Sequence, residues 1–182
     1  MKRLLLLSLG LFLFAIPSRA QSSYDASVGY SYFHLGGGAD LNQNGISGSL
    51  AYKPIPYLGI VGDFGGYHGS EFFPNLPGGG GGGIGGTSVS VNTYTFLFGP
   101  RIIMHNPTKF TPFAQFLLGA AHLTVGSGGP STTDFAYSVG GGVDIGVLPH
   151  LAVRPQVDYI GIRDSGNTIG NARVSVSAVL RF

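Results

Sequence analysis

Three sets of residues in this 182-residue chain could carry chemistry. His122-Leu123-Thr124 places an imidazole two positions from a hydroxyl, and a general base beside a nucleophile begins that way. The run Gly78 to Gly83, continued by Ile84-Gly85-Gly86, invites comparison with a phosphate cradle. Four acidic and four basic residues, Asp25, Asp63, Asp144, Asp158, Arg101, Arg154, Arg173 and Arg181, could pair if the fold gathers them. The glycine run lacks the Lys-Ser/Thr ending and the helix that phosphate binding needs, so it reads as a flexible external loop tip. Phe72, Phe73 and Leu76 beside it are candidates for contact with a partner or lipid. A hydrolytic triad also needs a carboxylate to orient the imidazole, and the only Glu, Glu71, falls in a long loop. The remaining histidines, His34, His68, His105 and His150, have no metal-ligand spacing. There is no Cys, hence no disulfide framework, thiolate metal site or Cys nucleophile. No metal and no cofactor are expected.

The charged set becomes meaningful through the elements that carry it. No helical apolar period is sustained; a period of two recurs instead. Eight strands follow, at about 24–33, 45–52, 58–67, 89–103, 111–125, 135–147, 151–162 and 171–182. In the first, Tyr24, Ala26, Val28, Tyr30 and Tyr32 share a face opposite Asp25, Ser27, Gly29 and Ser31. In the sixth, Phe135, Tyr137, Val139, Val143, Ile145 and Val147 oppose Ala136, Ser138, Gly140, Gly142, Asp144 and Gly146. The fifth puts Phe116, Leu118 and Ala120 against Gln115 and Gly119. Arg163 takes the apolar parity, which predicts that the seventh strand stops before it.

Such two-faced strands suit a soluble sandwich with an apolar core, or a membrane barrel with lipid outside and a polar interior. Four features favour the barrel. All eight charged residues named above take the polar parity. That polar face is mostly Gly, Ser, Ala and Thr with almost no Lys or Glu, unlike a wetted surface. Tyr24, Tyr52, Tyr94, Phe135 and Tyr159 fall near strand ends, as aromatic girdles do. The connections also alternate. Those at 53–57, 104–110 and 148–150 are short, and those at 35–44, 68–88, 126–134 and 163–170 are long. Short periplasmic turns with long external loops, and an even strand number, follow from that pattern. His34 and His68 then fall at outer strand ends, and His105 and His150 at periplasmic turns.

Residues 1–20 read as a secretory signal peptide. Lys2 and Arg3 precede an apolar run from Leu4 to Ile16; Pro17 and Ser18-Arg19-Ala20 follow, predicting cleavage after Ala20 and a barrel domain over 21–182. Thirteen helical residues span about 20 Å, short of a hydrocarbon core of roughly 30 Å. The formal charge of +2 then loses Lys2, Arg3 and Arg19, leaving 7 basic against 8 acidic residues, a net of −1. A basic surface for nucleic acid disappears with them.

At these residues a family resemblance enters. Phe98-Gly99-Pro100-Arg101, with Thr111-Pro112-Phe113-Ala114-Gln115-Phe116-Leu117-Leu118-Gly119-Ala120-Ala121-His122, resembles the central hairpin of OmpA-like outer-membrane β-barrel domains. Gly140-Gly141-Gly142-Val143-Asp144 and Val153-Arg154-Pro155-Gln156-Val157-Asp158-Tyr159 resemble the sixth and seventh strands of that family. The resemblance implies an all-β, eight-stranded antiparallel up-and-down transmembrane barrel in the outer membrane, with outer-membrane lipid and lipopolysaccharide as neighbours. It also implies that Phe182 serves as the terminal aromatic read by the barrel-assembly machinery. No peptidoglycan-binding domain follows the last strand, so cell-wall anchoring is not carried over.

An eight-stranded barrel has an interior just wide enough to be filled by side chains. Asp63, Arg101, Asp144, Arg154 and Asp158 are therefore expected to form an ion-pair network along the axis. The function expected is non-enzymatic: envelope integrity, adhesion through the loops, or slow passage of small solutes, with the external ligand unknown. Two alternatives stand beside it. One is an enzyme of the lipid A deacylase type, for which Thr124 would have to replace the usual Ser. The other is a soluble periplasmic lipocalin-like barrel with an apolar interior.

Overall fold

The structure, a computed structural model, describes residues 23–36, 41–73, 87–104, 108–126, 129–164 and 166–182. The expected signal peptide, His105 and the glycine run at 78–86 lie outside these residues, as do the side chains of Phe72 and Phe73.

Alternating polar and bulky apolar residues favour extended chain, because β-branched and aromatic side chains pack well on a pleated surface. Eight strands result: β1 (Tyr24–Leu35), β2 (Leu41–Ile55), β3 (Leu58–Phe73), β4 (Thr87–Ile103), β5 (Phe110–Val125), β6 (Ser131–Leu148), β7 (Leu151–Asp164) and β8 (Asn167–Arg181). Each pairs antiparallel with the next, and β8 pairs with β1 to close the barrel. Beyond β8, Phe182 exchanges two backbone hydrogen bonds of 3.0 Å with Tyr24 and stacks on its ring, so the seam is paired to the last residue.

Closure is staggered. Partners followed from His34 run through Ala172, Tyr159 and Val139 to Phe116, then through Pro100, Ile60 and Tyr52. The path returns to β1 at Tyr24, a shear of ten residues (34 − 24). A stagger of this kind requires tilted strands, typically by about 35–45°.

The polarity is inverted relative to a soluble protein. Phe96, Val157 and Val176 are 55%, 58% and 54% exposed on the outer face. Asp158 and Arg154 are 1% and 2% exposed on the inner one. A soluble lipocalin-like barrel would carry its polar face outward, so that alternative falls.

The strands outrun the sequence reading at the loop end. β2 begins four residues earlier than expected, and β8 also begins four earlier. The β7–β8 connection, read as a long loop over 163–170, shrinks to residues 165–166. Arg163 pairs with Thr168 and Asp164 with Asn167, and Gly166 turns the chain with φ +93°. Arg163 thus stays inside β7, where it is exposed at outward parity. The rule that ended the strand before it applies to hydrocarbon depth, and this position lies above that depth. Lys53, read as part of a turn, belongs to β2. Lys53 keeps the inward parity of Ala51, and the β2–β3 register shifts between Tyr52 and Ile55.

Inside, side chains form two zones. Toward the loops lies an apolar cluster that includes Phe33, Leu97, Leu117 and Ile160, with Tyr67 stacked on Phe33 at 4.6 Å. Below it, toward the short turns, the lumen is charged. The sequence reading gave a polar interior throughout; the apolar upper zone corrects it.

Candidate functional site

The charged lumen is built from inward positions of seven strands and divides into two clusters. At the short-turn end, Arg154 meets Asp144 through two nitrogens, Nε to Oδ1 at 2.5 Å and Nη2 to Oδ2 at 2.9 Å. Arg181 Nη2 donates to the same carboxylate at 3.2 Å. Lys53 Nζ donates to Asp25 Oδ1 at 2.8 Å, and Arg154 Nη2 lies 3.9 Å from Asp25 Oδ2. Such bidentate pairs hold geometry as well as charge.

The second cluster, deeper in the lumen, centres on Arg173. Its Nη1 and Nη2 donate to Asp63 at 2.6 and 3.2 Å. Its Nε and Nη2 donate to Asp158 Oδ2 at 3.0 and 2.8 Å. Nη1 also reaches Tyr67 Oη at 3.1 Å, which ties the charges to the apolar zone. Gln115 and Gln156 donate to Asp158 at 3.1 and 2.8 Å, filling its remaining acceptor sites.

Of the five residues expected in the network, Asp63, Asp144, Arg154 and Asp158 lie in ion pairs. Arg101 does not: no described carboxylate lies within 4.0 Å of it. It donates to Gln115 Oε1 through Nε and Nη2, at 3.0 and 2.7 Å, so a neutral amide separates it from Asp158. Its Nη1 has no hydrogen-bond partner. The Phe113 ring lies under both Arg101 and Arg154, at 4.3 and 4.9 Å, and bridges the two clusters by cation–π contact. Arg101 sits where inward carboxylates are already claimed by closer cations: the lumen holds Lys53, Arg101, Arg154, Arg173 and Arg181 against Asp25, Asp63, Asp144 and Asp158.

Sequence reasoning placed Arg173 on the inner face but left it out of the network. The signal was available: in a β7–β8 hairpin with a two-residue turn, Arg173 falls opposite Asp158. Gln115 and Phe113 carried no such signal, because their roles depend on contacts across the lumen.

A model of the outer membrane protein beta-barrel domain matches residues 4–182. The chain belongs to that family. This outer-membrane barrel has no match among curated proteins. It is similar in fold to the neisserial surface protein A, at 15% identity and a TM-score of 0.66, covering 90% of this chain and all of that one. It is also similar to Ail, the attachment invasion locus protein of Yersinia pestis, at 15% identity and a TM-score of 0.60 over 89% and 99% of the two chains. OprG from Pseudomonas aeruginosa resembles it at 10% identity and a TM-score of 0.55, over 89% and 97%.

The outer surface of this outer-membrane barrel is banded. Tyr24 and Tyr52 lie at the short-turn end, their ring centroids 5.1 Å apart. Tyr137 and Tyr159 pair at 6.2 Å nearer the loops. Between them the exposed residues are mostly Val, Leu, Ile and Phe, with Tyr30, Pro100, Pro155 and Ala178 among them. At the loop end, His122 Nδ1 lies 2.7 Å from Thr133 Oγ1, and its Nε2 lies 3.4 Å from Thr124 Oγ1. The nitrogen that a triad carboxylate would orient is thus engaged by a hydroxyl. His150 Nδ1 lies 3.2 Å from the Arg181 carbonyl at the opposite end.

Proposed function

We propose that this barrel is a closed, non-enzymatic envelope protein that presents its loop end outward for surface contact, rather than an open channel. The observation that carries this reading is the filled lumen. Arg173, Asp63 and Asp158 are almost completely buried across the barrel, and the Phe33–Tyr67 zone sits beyond them. An ion would have to break a paired charge layer and then cross an apolar one, and both steps are costly.

Export by a signal peptide at 1–20, cleaved after Ala20, fits an outer-membrane destination. Phe182, paired at the closing seam, is suited to be the aromatic read during assembly. Outer-membrane lipid and lipopolysaccharide are the partners of the outer surface. Adhesion is the surface role favoured here, since Ail is named for attachment and was solved with a heparin analogue.

Recording from the refolded protein in planar bilayers tests the reading. A baseline without steady openings is expected; a large, steady conductance would overturn it. The deacylase alternative rests on the 3.4 Å approach of His122 to Thr124. Release of acyl chains from lipopolysaccharide, lost in His122→Ala, would establish that alternative in its place.

A further inference from the structure

Among the described residues, Arg101 is the lumen cation that the surrounding protein does not balance. It is 1% exposed, and its Nη1 has no hydrogen-bond partner. Lys53 is matched by Asp25, Arg154 and Arg181 by Asp144, and Arg173 by Asp63 and Asp158. Asp134 takes inward parity too, but it lies at the loop end of β6, beyond the apolar zone. The five cations and four carboxylates of the charged zone therefore leave one net positive charge inside it. A buried charge without a counter-charge is costly, and so is a buried donor without an acceptor.

The donors of this guanidinium are not equivalent. Nε and Nη2 form the edge turned to Gln115 Oε1 on β5. Gln115 Nε2 donates to Asp158, which fixes the amide in place. The Phe113 ring under the guanidinium also comes from β5. Nη1 thus occupies the edge away from Gln115. On the other side of β4 lies β3, and the residue directly across from Arg101 there is Gly59.

Gly59 is buried and inward, and it leaves room. A Cβ at this position would meet only Ile103 Cδ1, Lys53 Cγ and the Tyr52 carbonyl, each at 3.7 Å. Other inward glycines differ. A Cβ on Gly65 would strike Tyr67 Oη, and one on Gly99 the Phe116 carbonyl. Close approach excludes a side chain at those two positions but not at Gly59, so space for a small group adjoins Arg101. Lys53 lines that space from β2. Its side chain is 14% exposed, and its ammonium has two protons beyond the one given to Asp25.

We propose that Arg101 holds a small monovalent inorganic anion, chloride being the representative, in the space beside Gly59, with Lys53 lining its way in from the short-turn end. The ion brings the charged zone to neutrality and gives Nη1 its acceptor. The apolar flank of Ile103 suits a weakly hydrated halide better than a strongly hydrated phosphate or sulfate. Toward the loops, the Arg173 layer and the apolar zone stop the ion, so binding does not require conduction.

The test follows urea unfolding of the refolded full chain in detergent as sodium gluconate is replaced by sodium chloride at constant ionic strength. The wild-type folding equilibrium constant should rise with chloride along a one-site curve, by about ten-fold at ten times the dissociation constant. Arg101→Met should abolish that dependence. Gly59→Val, which fills the space and keeps the charge, should weaken it. Crystals grown in sodium bromide should show anomalous scattering within hydrogen-bond reach of Nη1, beside Gly59. Equal stability in the two salts, a chloride response kept by Arg101→Met, or bromide bound away from Arg101 or not at all would overturn the proposal. If Gly59→Val fails to fold, Arg101→Met and the bromide position decide by themselves.

Discussion

Arg173 and Arg101 are both buried arginines in one lumen, yet their surroundings separate them. Arg173 compensates two carboxylates, Asp63 and Asp158, and replacing it strands both. Arg173→Met should therefore lower folding stability by about 3–5 kcal/mol, read from urea titration of the detergent-folded barrel. Arg101 faces only the amide oxygen of Gln115 and the Phe113 ring, with one nitrogen unsatisfied. Arg101→Met should cost less than half as much; an equal loss would show that Arg101 shares the network directly. Glycine tells the same story of close approach. A Cβ on Gly140 would strike Asp158 Oδ1 and the Val157 carbonyl, whereas one on Gly66 would make ordinary contact with the Tyr94 ring at 3.5 Å. Gly140→Ala should lower the unfolding midpoint by an amount equivalent to about 1–3 kcal/mol, and Gly66→Ala should leave it nearly unchanged.

At the scale of the strands, position along the bilayer normal decides what a residue may be. Val157 lies outward near the middle of β7, and Arg163 lies outward near its end. Val157→Arg should destabilise by about 2–4 kcal/mol, measured by reversible folding into lipid vesicles, while Val157→Ile should be almost neutral. The same depth dependence explains what the sequence could reveal. Parity along β1, β6 and β8 was legible because lipid and lumen impose opposite demands on neighbouring residues. Strand ends were not, because beyond the hydrocarbon that contrast vanishes. Pairing continued past the point where alternation faded, through Asn42 and Asn44 in β2 and Thr168 in β8. Membership of the lumen was legible for Asp63, Asp144, Arg154 and Asp158, and the β7–β8 hairpin signalled Arg173 opposite Asp158, but pairs across the lumen were not legible. Partners such as Asp63 and Arg173 are 110 residues apart and meet only once the barrel closes.

For the whole molecule, closure ties every strand to two neighbours, down to Phe182 on Tyr24. A barrel so sealed should resist detergent until heated: unboiled and boiled samples should migrate differently on a gel. Identical mobility would argue against closure. The lumen's two zones were only half foreseen. Asp and Arg marked the charged half by type, but Phe33, Leu97, Leu117 and Ile160 gave no warning, since an apolar residue inside a membrane barrel breaks the alternation that defines it.

The most direct test follows alternation itself. The chain has no Cys, so single cysteines can be placed one at a time from 153 to 159 on β7 and spin-labelled in bilayers. Labels at Val153, Val157 and Tyr159 should collide with dissolved oxygen as lipid-exposed sites do, while those at Arg154, Gln156 and Asp158 should be shielded or block folding. Oxygen accessibility without a period of two, or peaking at 154, 156 and 158, would contradict a barrel that turns its apolar face to lipid and encloses its charges.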